Sequence, residues 1–406
     1  MRIVTVGTGM AATEFVSTLR EEGSRDEVLM ITPERFAPYS PCSMPFFLAG
    51  EPLETVYWKG EDFFENHGTE ALLGESVTEI DTTKQTLLTS GGRSIGYDKL
   101  FFSTGSKSWY PKPDMLEYVG VFGFKSLTDL TEIDSYIREQ GCKRAVVFGG
   151  GFIGVDAALS LWHRGLDVTI VHRNNRLLSQ MTDEEGGKFA TAKIEEKTGI
   201  SVKLKNVVEE VKDNAGQVKS VVLTDGTEID TDLLIITVGV SPNSEALTGD
   251  DGGVSVDECL RYSSNVYCAG DVALTSHMVT GEQKIYATYP NARSQARNAA
   301  LSIMYGDEAF EGSVNTNVLK KHIDFPIIAA GLFEGENCTY SDAEVFRRLY
   351  LKDGKIHGYQ IVGDTLLSGY VYNLYISQTE LNDDFLDAFM RNDNKYYYKM
   401  ITGVIH

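Results

Sequence analysis

Two stretches of the chain share one order of apolar, small and polar positions. RIVTVGTGMAATEFVSTLREEG opens on an unbroken β-branched run at Arg2–Val6, passes through closely spaced small residues, and reaches a helical pattern over residues 14–22. KRAVVFGGGFIGVDAALSLWHRG repeats the order, with a strand at residues 145–148 and a helix at 155–164. A further short apolar strand follows each, at 28–32 and 168–172. Strands without polar alternation are buried on both faces, so each stretch predicts the start of a βαβ unit in a parallel sheet covered by helices. The expected fold class is α/β with two Rossmann-like dinucleotide-binding domains.

Other apolar runs extend these sheets. Residues 97–105 (YDKLFFSTG) predict a buried strand ending in a small-residue turn, and 232–239 (DLLIITVG) repeat that pattern before Ser241-Pro242-Asn243. Residues 265–271 (NVYCAGD) predict a third such strand, closed by Gly270-Asp271. From about Gly312 the pattern changes. Residues 325–331, 345–351 and 356–362 predict antiparallel strands, the last two separated by the turn Lys352-Asp353-Gly354-Lys355, and a helical, acidic, Tyr-rich tail starts at Thr379. Tyr370, Tyr372 and Tyr375 alternate as on a strand, which predicts core or interface packing.

Composition narrows the function. Lys and Arg number 37 against 58 Asp and Glu, a net charge of −21, which repels phosphate backbones and argues against nucleic acid as a partner. An anionic ligand must then meet a local positive feature. No apolar run approaches the ~18 residues of a membrane helix, and no leader pattern opens the chain, so a cytoplasmic protein is expected. The five cysteines, Cys42, Cys142, Cys259, Cys268 and Cys338, are scattered without a CxxC pair, which speaks against a disulfide framework or a sequence-local metal site.

The small-residue turns supply the positive feature. Gly7-Thr8-Gly9-Met10-Ala11-Ala12 fits G-x-G-x-x-A, and Gly149-Gly150-Gly151-Phe152-Ile153-Gly154 fits G-x-G-x-x-G. The first glycine of each permits the tight turn, and the second lets a pyrophosphate approach the backbone. The third small residue keeps helix and strand close, while the helix N-terminus offers N–H groups to the anion. An acid about 20 residues on would bind a ribose hydroxyl. Glu34 is the candidate after the first turn. His172, Arg173 and Arg176 stand at the corresponding point after the second, and basic groups there suit a 2′-phosphate, favouring NADPH over NADH; a solvated basic loop is the alternative.

In order along the chain, GTGMAA, YDKLFFSTG, GGGFIGVD, LLIITVGVSPN and NVYCAGDVA resemble the motifs of the FAD-dependent pyridine nucleotide-disulfide oxidoreductases, over most of residues 1–310. The resemblance implies that Gly7, Gly9, Met10, Ala11 and Ala12 hold the FAD pyrophosphate, with Thr104 and Gly105 in the same site. Gly149, Gly151, Phe152, Ile153 and Gly154 would hold NAD(P)H, with Gly239 nearby. Gly270-Asp271 corresponds to the aspartate on the flavin's ribityl chain, and Asp156 stands where the family usually carries Glu beside flavin and nicotinamide. The implied partition gives residues 1–111 and 240–311 to an FAD domain and 112–239 to an NAD(P) domain. Residues 312–406 become a C-terminal α+β interface domain, which in this family often mediates a homodimer.

Within the family, YSPCSMPF is similar to the redox-cysteine stretch of the single-cysteine branch, the coenzyme A-disulfide reductases and NADH oxidases or peroxidases. Met10 stands where oxidases and peroxidases carry His. The implied reaction passes hydride from NAD(P)H to FAD and onward to a disulfide, polysulfide or similar small-molecule acceptor, with Cys42 as redox thiol and Asp156 as a further catalytic candidate. Cys42 as a buried core residue is the other reading of that thiol. It goes with a flavin subunit that exchanges electrons with an iron–sulfur or metal-containing protein partner in a larger complex. Cys142, Cys259 and Cys268, on or near strands, and Cys338, in an expected loop, read as structural. Tyr396, Tyr397 and Tyr398 could reach a partner subunit.

Overall fold

The computed structural model describes residues 1–365, 367–393, 396 and 399. They fall into two compact units. The first comprises Met1–Trp109, Lys125–Thr131 and Gly239–Val314; the second comprises Tyr110–Phe124, Glu132–Val238 and the described residues from Asn315 on.

In the first unit the strand Arg2–Val6 lies between Glu27–Thr32 and Lys99–Phe102, parallel to both. Val266–Cys268 extends the sheet beyond Lys99–Phe102, and Glu70–Leu73 extends it beyond Glu27–Thr32. Ile3, Phe15, Val16, Leu19, Val28 and Phe101 form one side of the core. The rings of Phe15 and Phe101 stack with centroids 4.0 Å apart. Ala292, Ala296, Ala299 and Ala300 line the inner face of the helix Tyr289–Tyr305, where small side chains let it lie close on the helix Met10–Glu21. Full burial of each large apolar side chain contributes about 1.5–3 kcal/mol.

Both glycine-turn helices begin earlier than their apolar periodicity predicts, at Met10 and at Phe152. Gly9 and Gly151 are extended residues at the N-cap, so the helix starts at the next residue; in the first helix the small alanines that open it carry little periodic signal.

In the second unit five parallel strands run in the order Ser201–Leu204, Asp167–His172, Arg144–Phe148, Leu233–Ile236, Val121–Phe122. The C-terminal segment forms its own antiparallel sheet, in the order Thr316–Leu319, Ile327–Gly331, Lys355–Val362, Phe346–Lys352, Glu336–Ser341. The three antiparallel strands expected there are present. Two expectations are corrected. Tyr370, Tyr372 and Tyr375 lie on a helix, Ser368–Ser377, whose buried residues Val371 and Tyr375 are four apart, the spacing of a helix face rather than a strand. Cys338 sits within the strand Glu336–Ser341, opposite Leu349, and not in a loop. Tyr397 and Tyr398 lie outside the described residues.

The C-terminal sheet is fastened to the helix Glu184–Thr198 within the second unit. Asp183 caps that helix by accepting from the Gly186 N–H at 2.7 Å, and it also accepts from Arg348 and the Tyr350 hydroxyl. Burial opposes its ionisation, but these donors outweigh burial and hold the carboxyl below its ordinary range. Gln360 accepts from the Asp183 N–H, and a Cβ on Gly186 would stand 2.4 Å from the Gln360 Oε1. No helix among the described residues is long and apolar enough to cross a membrane.

Candidate active site

Each glycine turn is built from backbone constraints. Gly7 has φ +107°, and a Cβ there would lie 2.4 Å from the Ser103 carbonyl oxygen. Gly149 has φ +131°, with a Cβ 2.3 Å from the Thr237 oxygen. Both positions exclude a side chain because the neighbouring parallel strand passes directly beneath. At Gly9 and Gly151 a Cβ would meet nothing within 4 Å. The helices that follow carry no side-chain cap, so the first-turn N–H groups of Met10, Ala11 and Ala12, and of Phe152, Ile153 and Gly154, face open cradles. Two cradles of this kind fit the pyrophosphates of two dinucleotides.

The strand ends beyond the cradles differ. Glu34 is half-buried and accepts from the Tyr39 hydroxyl at 2.8 Å; that hydroxyl in turn accepts from the Leu127 N–H at 3.1 Å. Burial pushes the Glu34 carboxyl up, and the Tyr39 and Leu127 donors offset part of that rise. In the second unit His172 is buried, and its Nδ1 accepts from the Gly150 N–H at 3.0 Å. Burial, reinforced by Arg173 and Arg176, drives the imidazole down to about 4. His172 is thus a neutral support of the glycine turn and not a third cation for a phosphate. Arg176 is engaged as well, donating to Asn175 Oδ1 and the Thr182 carbonyl, both at 3.1 Å. Of the three basic residues, Arg173 is the exposed one.

Around the first cradle, Thr104, Gly105 and Asn243 are stitched together: the Thr104 hydroxyl donates to the Asn243 carbonyl at 2.6 Å, and the Asn243 N–H donates to the Gly105 carbonyl at 3.0 Å. Gly239 accepts from the Trp109 N–H beside this seam. Asp271 faces Lys125 at 3.4 Å and accepts from the Ser106 hydroxyl at 3.1 Å. Sequence reasoning missed Gln295. It is buried on the helix Tyr289–Tyr305, accepts from the Gly270 N–H at 2.7 Å, and donates to the Ser313 hydroxyl at 3.0 Å, so it fixes the Gly270-Asp271 turn. The only available signal was an amide among the inward-facing alanines of that helix.

Cys42 is exposed, in the short turn Pro41–Ser43. It acts electrostatically on the Tyr289 hydroxyl, whose residue opens the helix Tyr289–Tyr305. Tyr289 meets Trp58 edge-on at 6.1 Å and has the Arg293 guanidinium over its ring at 5.8 Å. Arg293 pairs with the buried Glu14 at 2.8 Å, a second residue missed in the sequence. The other cysteines differ. Burial pushes up the thiols of Cys142, Cys259 and Cys268, and raises Cys338 to about 11, so they remain protonated.

Asp156 is buried on the helix Phe152–His163 and pairs with Lys321 at 2.7 Å. Burial pushes its carboxyl up, and Lys321 offsets part of the shift.

Two open cradles at the N-termini of helices in separate sheets give room for the pyrophosphates of two dinucleotides. The chain belongs to the pyridine nucleotide-disulphide oxidoreductase family, whose pattern matches residues 1–296. That membership brings FAD and NAD(P)H, and Gly9 and Gly151 give both of them room. The chain is 26% identical over 405 residues to the large subunit of a nitrite reductase (NADH) from Escherichia coli, covering 95% of this chain and 46% of that one. It thus spans about half the length of that relative. It is 28% identical over 345 residues to an NAD(P)H coenzyme A polysulfide/persulfide reductase from Pyrococcus horikoshii, covering 82% of this chain and 76% of the other. In fold it matches the covalent putidaredoxin reductase–putidaredoxin complex with a TM-score of 0.88 at 22% identity, over 99% of this chain and 98% of that one.

Proposed function

We propose that the protein is an FAD-dependent NAD(P)H reductase of disulfide, persulfide or polysulfide acceptors that uses Cys42 as its redox thiol. The observation carrying this reading is the exposed position of Cys42, in a turn from which it acts electrostatically on Tyr289, while burial pushes the other four thiols up. The thiolate is the reactive form, and of the five cysteines Cys42 is the exposed one. Bound FAD supplies the two-electron step between the nicotinamide and the acceptor. The chain's own residues do the rest. Gly7, Gly9 and the first turn of the helix Met10–Glu21 hold one pyrophosphate, Glu34 meets a ribose, and Asp271 and Gln295 shape the flavin's seat. Gly149, Gly151 and the helix Phe152–His163 hold the second dinucleotide. Arg173 takes a 2′-phosphate where one is present, which favours NADPH modestly.

Cys42→Ser tests the reading. With Cys42 resting as a mixed disulfide with a small thiol, a persulfide or a sulfenic acid, anaerobic titration of the wild type should consume two electron pairs per subunit, one for FAD and one for the sulfur, and the variant one, with turnover on polysulfide lost. Equal equivalents and equal acceptor rates would remove Cys42 from the chemistry. The second reading, a flavin subunit serving a larger reductase, would then take over; it is favoured by the match to just under half of a nitrite reductase subunit.

A further inference from the structure

Tyr39 stands three residues ahead of Cys42, between Pro38 and Pro41, and takes no part in the chemistry proposed above. Its backbone has little freedom. The two prolines each fix a φ on either side of it, and the Ser40 N–H donates to the Val56 carbonyl at 2.8 Å. The hydroxyl of this half-buried residue lies between two partners. It donates to Glu34 Oε1 at 2.8 Å and accepts at 3.1 Å from the N–H of Leu127, the first residue of the helix Leu127–Gln140. Burial pushes the phenol well above its ordinary range, so the hydroxyl keeps its proton and remains a donor.

Glu34 is fixed at its backbone as well. The Gly74 N–H donates to its carbonyl at 3.1 Å, and its own N–H donates to the Thr32 hydroxyl at 3.3 Å. The residue is half-buried, so a ligand can reach its carboxyl. Burial and Asp129 push that carboxyl up; the Tyr39 hydroxyl is the larger of the two influences that oppose them, and the Leu127 N–H is the other. Among the described residues no cation acts on it. Arg35, next in the chain, is exposed and lies over Gly74 instead, where a Cβ would stand 3.2 Å from its Cζ. A lysine or arginine at the carboxylate would neutralise it and compete for both oxygens. A phenol holds one oxygen and leaves the negative charge in place, which is what a neutral sugar hydroxyl needs from its acceptor.

We propose that Tyr39 is a positioning residue for FAD: its hydroxyl fixes the Glu34 carboxylate so that the second oxygen accepts from a ribose hydroxyl of the cofactor. This rests on reading the first glycine turn as the FAD seat. Without the phenol, burial and Asp129 are opposed by the Leu127 N–H alone. Glu34 then takes up a proton at higher pH and loses its fixed orientation.

The test uses the full-length protein, stripped of FAD and titrated with it from pH 8 to pH 5, with flavin fluorescence as the readout. Wild-type affinity should fall on acidification as Glu34 gains its proton, and Glu34→Gln should lack that acid limb. Tyr39→Phe should weaken FAD by about tenfold at pH 7, the value of one charge-assisted hydrogen bond, and move the limb to higher pH. In the Glu34→Gln background the same substitution should change affinity little, because a residue that acts through another is not additive with it. Asp129→Asn should move the limb to lower pH. Tyr39→Met, which also lacks the hydroxyl, replaces Tyr39→Phe if that variant does not fold. Equal losses in both backgrounds with an unmoved acid limb would mean that Tyr39 only supports the fold, and would overturn the proposal. So would a Glu34→Gln variant that binds FAD as the wild type does. Wild-type protein that takes up no FAD would instead overturn the reading of the first glycine turn.

Discussion

The two glycine turns start from one backbone design and diverge at the side chains. Gly7 and Gly149 share a positive φ over a carbonyl of the adjoining segment, and Gly9 and Gly151 both leave open cradles. The middle position separates them. Thr8 stands in the first turn. In the second it is Gly150, where a Cβ would lie 2.7 Å from the His172 ring. The sugar ends diverge further: a half-buried carboxyl held by Tyr39 in one, a neutral imidazole beneath the turn and an exposed arginine in the other. In the proposed reading, backbone geometry makes each turn a dinucleotide seat, and a few side chains at the next strand end select which one binds.

The largest expected effect separates the cradles by what they hold. Gly9→Val should fold, because its Cβ meets no protein atom, yet it should emerge colourless because the branched side chain occupies the pyrophosphate's place. Absorbance of the purified variant checks this, and stoichiometric flavin would show that the first cradle is not the FAD site.

A smaller effect probes the imidazole. The folded His172 has a pKa of about 4 against an ordinary 6.5, so between these values the unfolded chain binds the extra proton and stability falls as pH is lowered. The loss should total up to about 3 kcal/mol at 1.36 kcal/mol per pH unit. His172→Gln accepts from the Gly150 N–H without titrating and should flatten that slope in thermal melts from pH 7 to pH 4. A wild-type curve with no acid limb in this window would contradict the assignment.

The smallest effect concerns coenzyme choice. Arg173→Ala should weaken NADPH by about tenfold, the value of one charge-assisted contact, and leave NADH nearly unchanged. Equal losses for both coenzymes would return Arg173 to the status of a solvated surface residue.

The parallel sheets were legible because their strands are unbroken apolar runs, and the cradles because glycine spacing reports backbone geometry directly. The roles of Arg176 and His172 were not. Spacing put them at the nucleotide's sugar end, but hydrogen bonds to the Thr182 carbonyl and from the Gly150 N–H, which only the fold brings near, turn both inward. Gln295 and Glu14 were hidden for a related reason: each is a polar residue on a helix face that faces the core, and its partner comes from a distant segment. The Tyr370–Tyr375 stretch misled because three aromatics at short intervals mimic strand alternation, whereas burial follows Val371 and Tyr375.

Gly186 and Gly187 give the helix Glu184–Thr198 a bare patch against which Gln360, Phe346 and Arg176 rest, so closely that a methyl group at either glycine would collide. That patch is a constraint on recombination. A chimera that exchanges the C-terminal sheet for another protein's must bring a sheet whose surface descends onto bare backbone at the same place, or exchange the helix with it. The piece that can be transplanted is therefore larger than the sheet, and its natural cut lies ahead of Asp183, where the seam begins.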